Sequence, residues 1–292
     1  LGSIVGTFMT GFFLLSWLGH AWVLTLISWL LCLGTWLLIQ EAKSQNYSAT
    51  QIQTELSITV FIIGLFLLYQ PQRPFKDINT AYSRVWIYET NNWQENRPVR
   101  RMQINNGANS DQYLDSNELV WKYTQFYRLA EHFNPRFQRV LLLGGAAYSV
   151  PKYFLEKYPK ISLDVVEIDS SVTELAQKYF DLKESPRLQI FHEDGRTFLN
   201  QTTEHYDIIL GDAYASYNPI PQLTTFEAIG RIYEALNPEG VALINIINAL
   251  EGQNGRFFRA EYRTFKEVFP QVYAFPVYYP YNPFAEQNIM LV

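Results

Sequence analysis

Three acidic side chains lie at or shortly after the ends of three consecutive predicted strands in the C-terminal half of the chain. Glu167 follows the segment Leu163 to Val166, Asp194 follows the next, and Asp212 follows the one after that. Apolar runs of this length are typical of strands in a parallel sheet, whose carboxyl ends share one edge. Open α/β sheets bind their ligands at that edge. We therefore predict that the three carboxylates converge on one ligand.

A turn of small residues lies upstream of these acids. Gly144 and Gly145 follow a predicted strand and open a helix, so a ligand could approach the backbone and meet the free N–H groups of the helix N-terminus. About twenty residues later, Glu167 is placed to accept hydrogen bonds from both ribose hydroxyls. Asp194, with the backbone of Gly195, suits an adenine amino group. Together these residues favour an adenosine-containing cofactor.

The elements that would position these residues follow from hydrophobic periodicity. After residue 134 strands alternate with helices, which predicts an α/β fold with a parallel sheet covered on both faces. The strands are predicted at 139–143, 162–167, 187–191, 206–211, 240–247, about 271–277 and 287–292. Asp169 is interpreted as the N-cap of the helix that follows it. Upstream, apolar residues on a 3.6-residue period predict a helix over 117–133, preceded by a small antiparallel sheet.

The N-terminal quarter has a different composition. Residues 1–40 contain no Lys, Arg, Asp or Glu, and three apolar runs predict transmembrane helices. The predicted domains are transmembrane helices at about 1–18, 21–40 and 56–70, a linker at 71–81, a small β domain plus helix at 82–134, and a nucleoside-binding α/β domain at 135–292. Basic residues after the third run place the C-terminal domain in the cytoplasm by the positive-inside rule. The expected location is the inner or plasma membrane.

Composition also excludes several classes of function. A net charge of −5 argues against a nucleic-acid-binding protein, which normally carries a basic stripe. The single cysteine, Cys32, excludes an intrachain disulfide. His132 and His192 lack Cys or acidic partners at the spacing of a metal site, so no metal is expected.

At this point the motifs resemble a known family. The stretches RVLLLGG, DVVEID, HEDGRTFL, YDIILGDAY and LNPEG are similar to those of the spermidine synthases, the polyamine aminopropyltransferases. The whole chain resembles their membrane-fused relatives. The resemblance implies a methyltransferase-like Rossmann fold with a sheet of seven strands behind a small N-terminal β domain, and it makes a homodimer plausible.

The resemblance also implies roles for individual residues. The family's ribose-binding acid falls on Glu167, its adenine-side acid on Asp194 with Gly195, and its catalytic acid on Asp212. That last acid orients and deprotonates an amine such as putrescine, which attacks the propyl carbon next to the sulfonium of decarboxylated S-adenosylmethionine. Tyr214 and Tyr217, in the loop after Asp212, either line the acceptor pocket or merely cover it.

The chain also departs from the family pattern. The Asp of the family's Gly-Gly-Gly-Asp-Gly-Gly motif, which holds the cationic end of the donor, is replaced by Ala147. The family's Tyr-His-Glu falls on Trp121, Lys122 and Tyr123, and its Asp-Ser-Ser-Asp-Pro loop keeps only the first acid. Burying an ammonium without a counter-charge is costly. The amine half of the site therefore has fewer carboxylates than the family pattern.

Three functional hypotheses follow. The first is a membrane-anchored, spermidine-synthase-like transferase that uses a decarboxylated S-adenosylmethionine donor, with Asp212 as base. The second is an S-adenosylmethionine-dependent methyltransferase, since Ala147 would suit a donor that keeps its carboxylate. The third is a transport or sensing protein of the lipid bilayer that binds a nucleoside or polyamine without turnover.

Overall fold

The computed structural model describes residues 76–105, 107–215 and 218–292. In the N-terminal part it describes only six isolated residues: Gly6, Trp29, Leu30, Leu33, Gly34 and Trp36. The chain divides into two compact units, residues 1–79 and 80–292. Strand β1 (Lys76–Asn79) lies in the first unit.

The structure corrects the expected membrane location. In the part of the chain that it describes, no helix combines the length and the hydropathy needed to cross a bilayer. The predicted spans at 1–18, 21–40 and 56–70 fall almost entirely outside the described residues. The prediction of an integral protein of the inner or plasma membrane, with its C-terminal domain in the cytoplasm, is therefore not retained.

The second unit begins with a small antiparallel sheet. Strand β2 (Arg84–Asn91) pairs with β3 (Pro98–Ile104), which pairs with β4 (Ala108–Tyr113). Alternating residues of β2 are buried, as expected for a sheet with one covered face. Val99, Tyr113 and Val120 form a small core on this sheet.

The helix predicted over 117–133 is shorter and interrupted. It consists of α1 (Lys122–Gln125), a 3₁₀ turn (Phe126–Arg128) and α2 (Leu129–Phe133). Leu119 instead forms an isolated β-bridge with Gln112, and Trp121 has an extended backbone. The apolar side chains of Leu119 and Val120 are buried because they pack beside strands, so their spacing did not indicate a helix.

A seven-stranded sheet forms the centre of the second unit, as predicted, but it is mixed rather than entirely parallel. Its strands are β5 (Arg139–Leu143), β6 (Ser162–Val166), β7 (Leu188–Phe191), β8 (Tyr206–Gly211), β11 (Leu236–Asn248), β12 (Ala274–Pro276) and β13 (Gln287–Leu291). The strand order is β12-β13-β11-β8-β5-β6-β7, and only β12 and β13 pair antiparallel with their neighbours.

Helices alternate with these strands. They are α3 (Ser149–Lys157), α4 (Ser170–Tyr179), α5 (Gly195–Gln201), α6 (Phe226–Glu234) and α7 (Arg256–Val268). Between β8 and α6 lie two-residue strands, β9 (Tyr214–Ala215) and β10 (Asn218–Pro219), and a 3₁₀ turn (Pro221–Leu223). Apolar clusters cover both faces of the sheet.

The chain reverses direction across the sheet between β5 and β8. It runs outward from β5 through β6 to β7 and then returns to β8 on the other side of β5. Such a switch point leaves a crevice at the carboxyl ends of the two strands, where open α/β sheets bind ligands. Here the Asp212 amide, just after β8, donates to the Leu143 carbonyl of β5 at 3.0 Å.

Gly144 makes this crevice possible, which leads to a first prediction. Its φ is +96°, and a Cβ there would lie 2.7 Å from the Asp212 carbonyl oxygen. We expect Gly144→Ala to lower the free energy of unfolding by about 1–3 kcal/mol, measured by urea denaturation. Gly230→Ala is the control, because Gly230 is helical with open space around it. That variant should gain about 0.5–1 kcal/mol. Equal effects of the two would contradict this role for Gly144.

Candidate active site

One cavity lies along the carboxyl edge of the sheet, with a volume of about 560 Å³. Its lining includes all three acids singled out in the sequence, Glu167, Asp194 and Asp212. The predicted glycines Gly144, Gly145 and Gly195 line it as well. Because β7, β6, β5 and β8 are neighbours, the residues after β7 and β8 are three strand spacings apart, about 14 Å. The cavity therefore suits an elongated ligand.

Side-chain donors hold Asp212 at one end of this edge. The Tyr123 hydroxyl donates to Oδ2 at 3.2 Å, and the Asn245 amide donates to Oδ1 at 2.9 Å. Asn245 is only 3% exposed, and its own carbonyl oxygen accepts from Asn288 at 2.9 Å. These bonds fix the plane of the carboxylate while both oxygens keep further lone pairs for a ligand.

The surroundings make Asp212 a stronger base than an ordinary aspartate. Burial raises the pKa of Asp212 to about 6, although hydrogen bonds from Asn245, Tyr123 and Tyr127 act in the opposite direction. Burial, followed by the charge of Asp212, raises the pKa of Tyr123 well above its usual value. Tyr123 therefore remains a hydrogen-bond donor, and at pH 7 Asp212 is ionised by about ten to one.

The loop after β5 has an unusual backbone conformation, although it contains fewer glycines than the family motif. Ala146 and Tyr148 have φ values of +45° and +55°, a left-handed conformation that side chains normally disfavour. Both occupy positions at which the family motif has glycine. Tyr148 is fully buried, and its hydroxyl lies 2.7 Å from Thr173 Oγ1, which fastens the loop to α4. Ala147, at the position of the family's Asp, is also fully buried.

Glu167 is tied to this loop. Its Oε2 accepts from the Gly145 and Ala146 amides at 2.9 and 3.2 Å, and its Oε1 accepts from the Asp169 amide at 3.0 Å. Since an ionised carboxylate has about four acceptor positions, one remains for a ligand hydroxyl. The loop amides that the sequence analysis offered to a ligand are therefore used by Glu167.

Two buried polar atoms at the cavity have no hydrogen-bond partner in the described part of the chain. They are Asp169 Oδ2 and Trp121 Nε1, and both residues line the cavity. Asp169 also caps α4, as predicted, through Oδ1, which accepts from the Ser171 amide at 3.1 Å. Unsatisfied buried groups are rare in native proteins. A ligand with one donor and one acceptor at these positions would satisfy both.

Asp194 is the N-cap of α5. Its Oδ1 accepts from the Thr197 amide at 2.9 Å, while the side chain also lines the cavity. The cap fixes the rotamer, so the second oxygen faces a defined position near the start of α5. A Cβ at the neighbouring Gly195 would make only ordinary contacts with Leu223 and Leu143.

Aromatic side chains line much of the remaining cavity, together with the acids Asp111, Glu193 and Glu286. The aromatic residues are Tyr82, Trp93, Trp121, Tyr123, Tyr278 and Tyr279. Of the acids, Asp111 is neutralised by Arg101, whose Nε and Nη2 donate to its two oxygens at 2.8 and 2.7 Å. Aromatic faces attract cations. This part of the cavity therefore suits a positively charged group despite its few free carboxylates.

The loop after Asp212 is described only in part. Tyr214 belongs to β9, which pairs antiparallel with β10, whereas Tyr217 lies outside the described residues. The roles suggested for both tyrosines stay predictions. The sequence analysis did not identify Asn245 or Tyr123 as partners of Asp212. The sequence feature that could have indicated Asn245 is its position as a single amide side chain inside the apolar run of β11.

Comparison with known proteins now adds to this geometry. The family model described as "Spermine/spermidine synthase domain" matches residues 125–291, more than half of the chain. The chain belongs to this family. The match begins after the N-terminal quarter, so it gives no support to the membrane-fused subgroup.

The spermine/spermidine synthase family includes curated relatives of moderate similarity. A polyamine aminopropyltransferase of Streptococcus uberis is 31% identical over 160 residues, which cover 53% of this chain and 55% of that protein. One of Vibrio vulnificus is 29% identical over 148 residues, 50% of this chain and 48% of that protein. The chain thus spans about half the length of the curated relatives it matches.

Solved structures of the family share the fold. A probable spermidine synthase from Corynebacterium glutamicum superposes with a TM-score of 0.65 at 23% identity, over 74% of this chain and 78% of that one. A spermidine synthase in complex with the transition-state analogue AdoDATO gives a TM-score of 0.57 at 18% identity, over 74% and 72%. These likenesses establish the α/β methyltransferase-like Rossmann architecture.

The hydrogen bond from Tyr123 yields a second prediction. Removing it in Tyr123→Phe takes away a donor that stabilises the Asp212 carboxylate, so the pKa of Asp212 should rise from about 6 by roughly one pH unit. Carboxyl-carbon NMR titration measures this directly. Tyr262→Phe, a variant of a tyrosine outside this cavity, should leave the titration of Asp212 unchanged. An unaltered midpoint in Tyr123→Phe would show that the bond does not act on Asp212.

Proposed function

We propose that this protein is a spermidine-synthase-like aminopropyltransferase. It moves a propylamine group from decarboxylated S-adenosylmethionine to an amine such as putrescine. The observation that carries the proposal is the single cavity on which Glu167, Asp194 and the raised-pKa carboxyl of Asp212 converge. Membership of the spermine/spermidine synthase family and the likeness to polyamine aminopropyltransferases support it.

The nucleoside is assigned to the β5–β7 end of the cavity. Gly144 and Gly145 allow its close approach, and Glu167 accepts a hydrogen bond from a ribose hydroxyl. Asp194 accepts a hydrogen bond from the adenine amino group, and the backbone of Gly195 completes the contact with adenine. Asp169 Oδ2, an acceptor without a partner, is well placed for a second hydroxyl donor. The residues present therefore fit an adenosyl compound whose fixed sulfonium charge lies near Asp212 and the aromatic side chains.

The chemistry at Asp212 follows from its position and basicity. The acceptor enters as an ammonium with a pKa near 10 and must expose a lone pair to react. The ionised Asp212 orients the amine and takes its proton, and the nitrogen attacks the methylene carbon bonded to sulfur. The carbon–sulfur bond breaks, its electron pair stays on sulfur, and methylthioadenosine leaves. A positioned base typically contributes about 10²- to 10⁴-fold.

A methyltransferase is the second candidate, because one observation favours it. Ala147 is apolar and fully buried where the family has the carboxylate that holds the donor's ammonium group. A donor that keeps its own carboxylate carries no net charge on its amino-acid end, so it would need that Asp less. Under this reading the same cavity would hold intact S-adenosylmethionine.

Calorimetric titration of the full chain separates the candidates. The ligands are decarboxylated S-adenosylmethionine, intact S-adenosylmethionine and methylthioadenosine. Tighter binding of the decarboxylated donor supports the aminopropyltransferase, and tighter binding of the intact donor supports the methyltransferase. Nucleoside binding with no product from any amine tested would leave a sensing or transport role. No binding of any of the three ligands would refute the assignment of the cavity.

The role of Asp212 gives a third prediction. Asp212→Asn keeps the shape of the side chain but removes the base, so transfer should fall by about 10²- to 10⁴-fold while methylthioadenosine affinity is unchanged. Mass spectrometry of the amine product measures the rate, and calorimetry measures the affinity. Glu239→Gln, at an exposed position, is the control and should retain full activity. Normal turnover by Asp212→Asn would remove this residue from the mechanism.

The pH dependence of transfer gives a fourth prediction. Because the base form of Asp212 is required, the rate at saturating donor and acceptor should increase with pH, reach half its maximum near pH 6 and level off above about pH 7. In Tyr123→Phe the midpoint should move to higher pH, since loss of the donor raises the pKa of Asp212. Stopped assays across pH 5–8 test both statements. A pH profile with the same midpoint in Tyr123→Phe as in the wild-type protein would argue against Asp212 as the titrating group.

A further inference from the structure

A second, smaller cavity lies beside the first. The two share the lining residues Leu143, Ala213, Ile220, Leu223 and Asn245. The second has a volume of about 40 Å³, which is room for a group the size of a water molecule or an ammonium ion. It is too small for a nucleoside. Asn245 belongs to both cavities and donates to Asp212, so the second cavity adjoins the reacting end of the first.

Apolar side chains form most of the wall of the second cavity, and Glu261 also lines it. Ile244 and Ile246 come from β11, and Phe257 and Phe265 come from α7. Glu261, also from α7, is only 5% exposed. It has no hydrogen bond or ion pair with any part of the chain that the structure describes. A carboxyl group in such apolar surroundings is unfavourable in its ionised form unless a counter-charge lies beside it.

The surroundings of Glu261 also change its pKa. Burial alone raises the pKa of Glu261 to about 8. Within the described residues no other titratable side chain lines the cavity, and the charged residues of the adjacent α6, Glu227, Arg231 and Glu234, do not reach it. At neutral pH the empty site therefore holds mainly the protonated acid. A cation entering the cavity would favour ionisation and expel that proton.

The geometry points to this cavity as the subsite for the distal ammonium group of a diamine or polyamine acceptor, with Glu261 as its counter-ion. This inference rests on the proposed aminopropyl transfer. The reacting nitrogen would lie at Asp212, the methylene groups beside the apolar residues that the two cavities share, and the far nitrogen at Glu261 in the second cavity. The apolar wall suits methylene groups, and a single buried carboxylate suits one ammonium. Glu261 thereby supplies a charge that the loop after Asp212 lacks.

The test compares diamines with monoamines of equal length. The full chain, saturated with methylthioadenosine, is titrated calorimetrically with α,ω-diamines of four to seven carbons and with the matching primary monoamines. We expect the best diamine to bind at least tenfold more tightly than its monoamine. Glu261→Gln should reduce this preference to less than threefold while methylthioadenosine affinity is unchanged. Glu267→Gln, an exposed acid on the same helix, should retain the full preference.

A second readout needs no variant. Titrations of the wild-type chain at pH 7, in buffers of different ionisation enthalpy, give the number of protons released. Diamine binding should release nearly one proton more than monoamine binding, because only the diamine ionises Glu261. Proton release at Asp212 is common to both ligands and cancels in the difference.

The outcomes separate this inference from the function on which it rests. Equal affinities for diamine and monoamine, equal proton release, or an undiminished preference in a folded Glu261→Gln would overturn the subsite. Transfer that depends on Asp212 would then still support the aminopropyltransferase. If no amine binds to or reacts with the wild-type protein, both proposals fail together.

Discussion

The close contact between the ends of β5 and β8 is the constraint on which the rest of the site depends. The Asp212 amide donates to Leu143, and the next residue, Gly144, lies against the Asp212 carbonyl. A side chain at position 144 would push the two strand ends apart. Because glycine keeps them together, the loop proposed to bind the nucleoside and the carboxyl group proposed to act in the chemistry lie side by side.

Asp212 illustrates how a partly buried carboxyl group can remain able to react. Desolvation alone would favour its protonated form, whereas the donors Tyr123 and Asn245 favour the anion. The balance leaves a carboxylate that is ionised at neutral pH and more basic than one in water. Around it, Tyr123 stands where the family pattern has a glutamate, and further aromatic side chains line the cavity. Such surroundings bind cations through ring faces without lowering the basicity of Asp212 as strongly as an ion pair would.

Sequence reasoning located the sheet and its acidic edge well, because apolar runs and the residues that follow them are local features. It failed for residues 117–121, where Leu119 and Val120 are apolar through contact with a neighbouring sheet rather than through helix formation. Asn245 and Glu261 could not be assigned either. Their importance depends on which strands are neighbours and on which face of α7 is buried, and both are properties of tertiary packing. The pKa of Asp212 likewise depends on burial by distant segments.

The three backbone bonds of Glu167 have a consequence for ligand recognition. Two of them hold Gly145 and Ala146, so the turn after β5, with its left-handed residues, is ordered by the protein itself. Binding of the proposed donor therefore costs less conformational entropy of the chain than it would if the turn were flexible. Substitution of Glu167 would therefore affect the proposed donor site in two ways. It would remove the proposed ribose contact, and it would remove the hydrogen bonds that order the turn after β5.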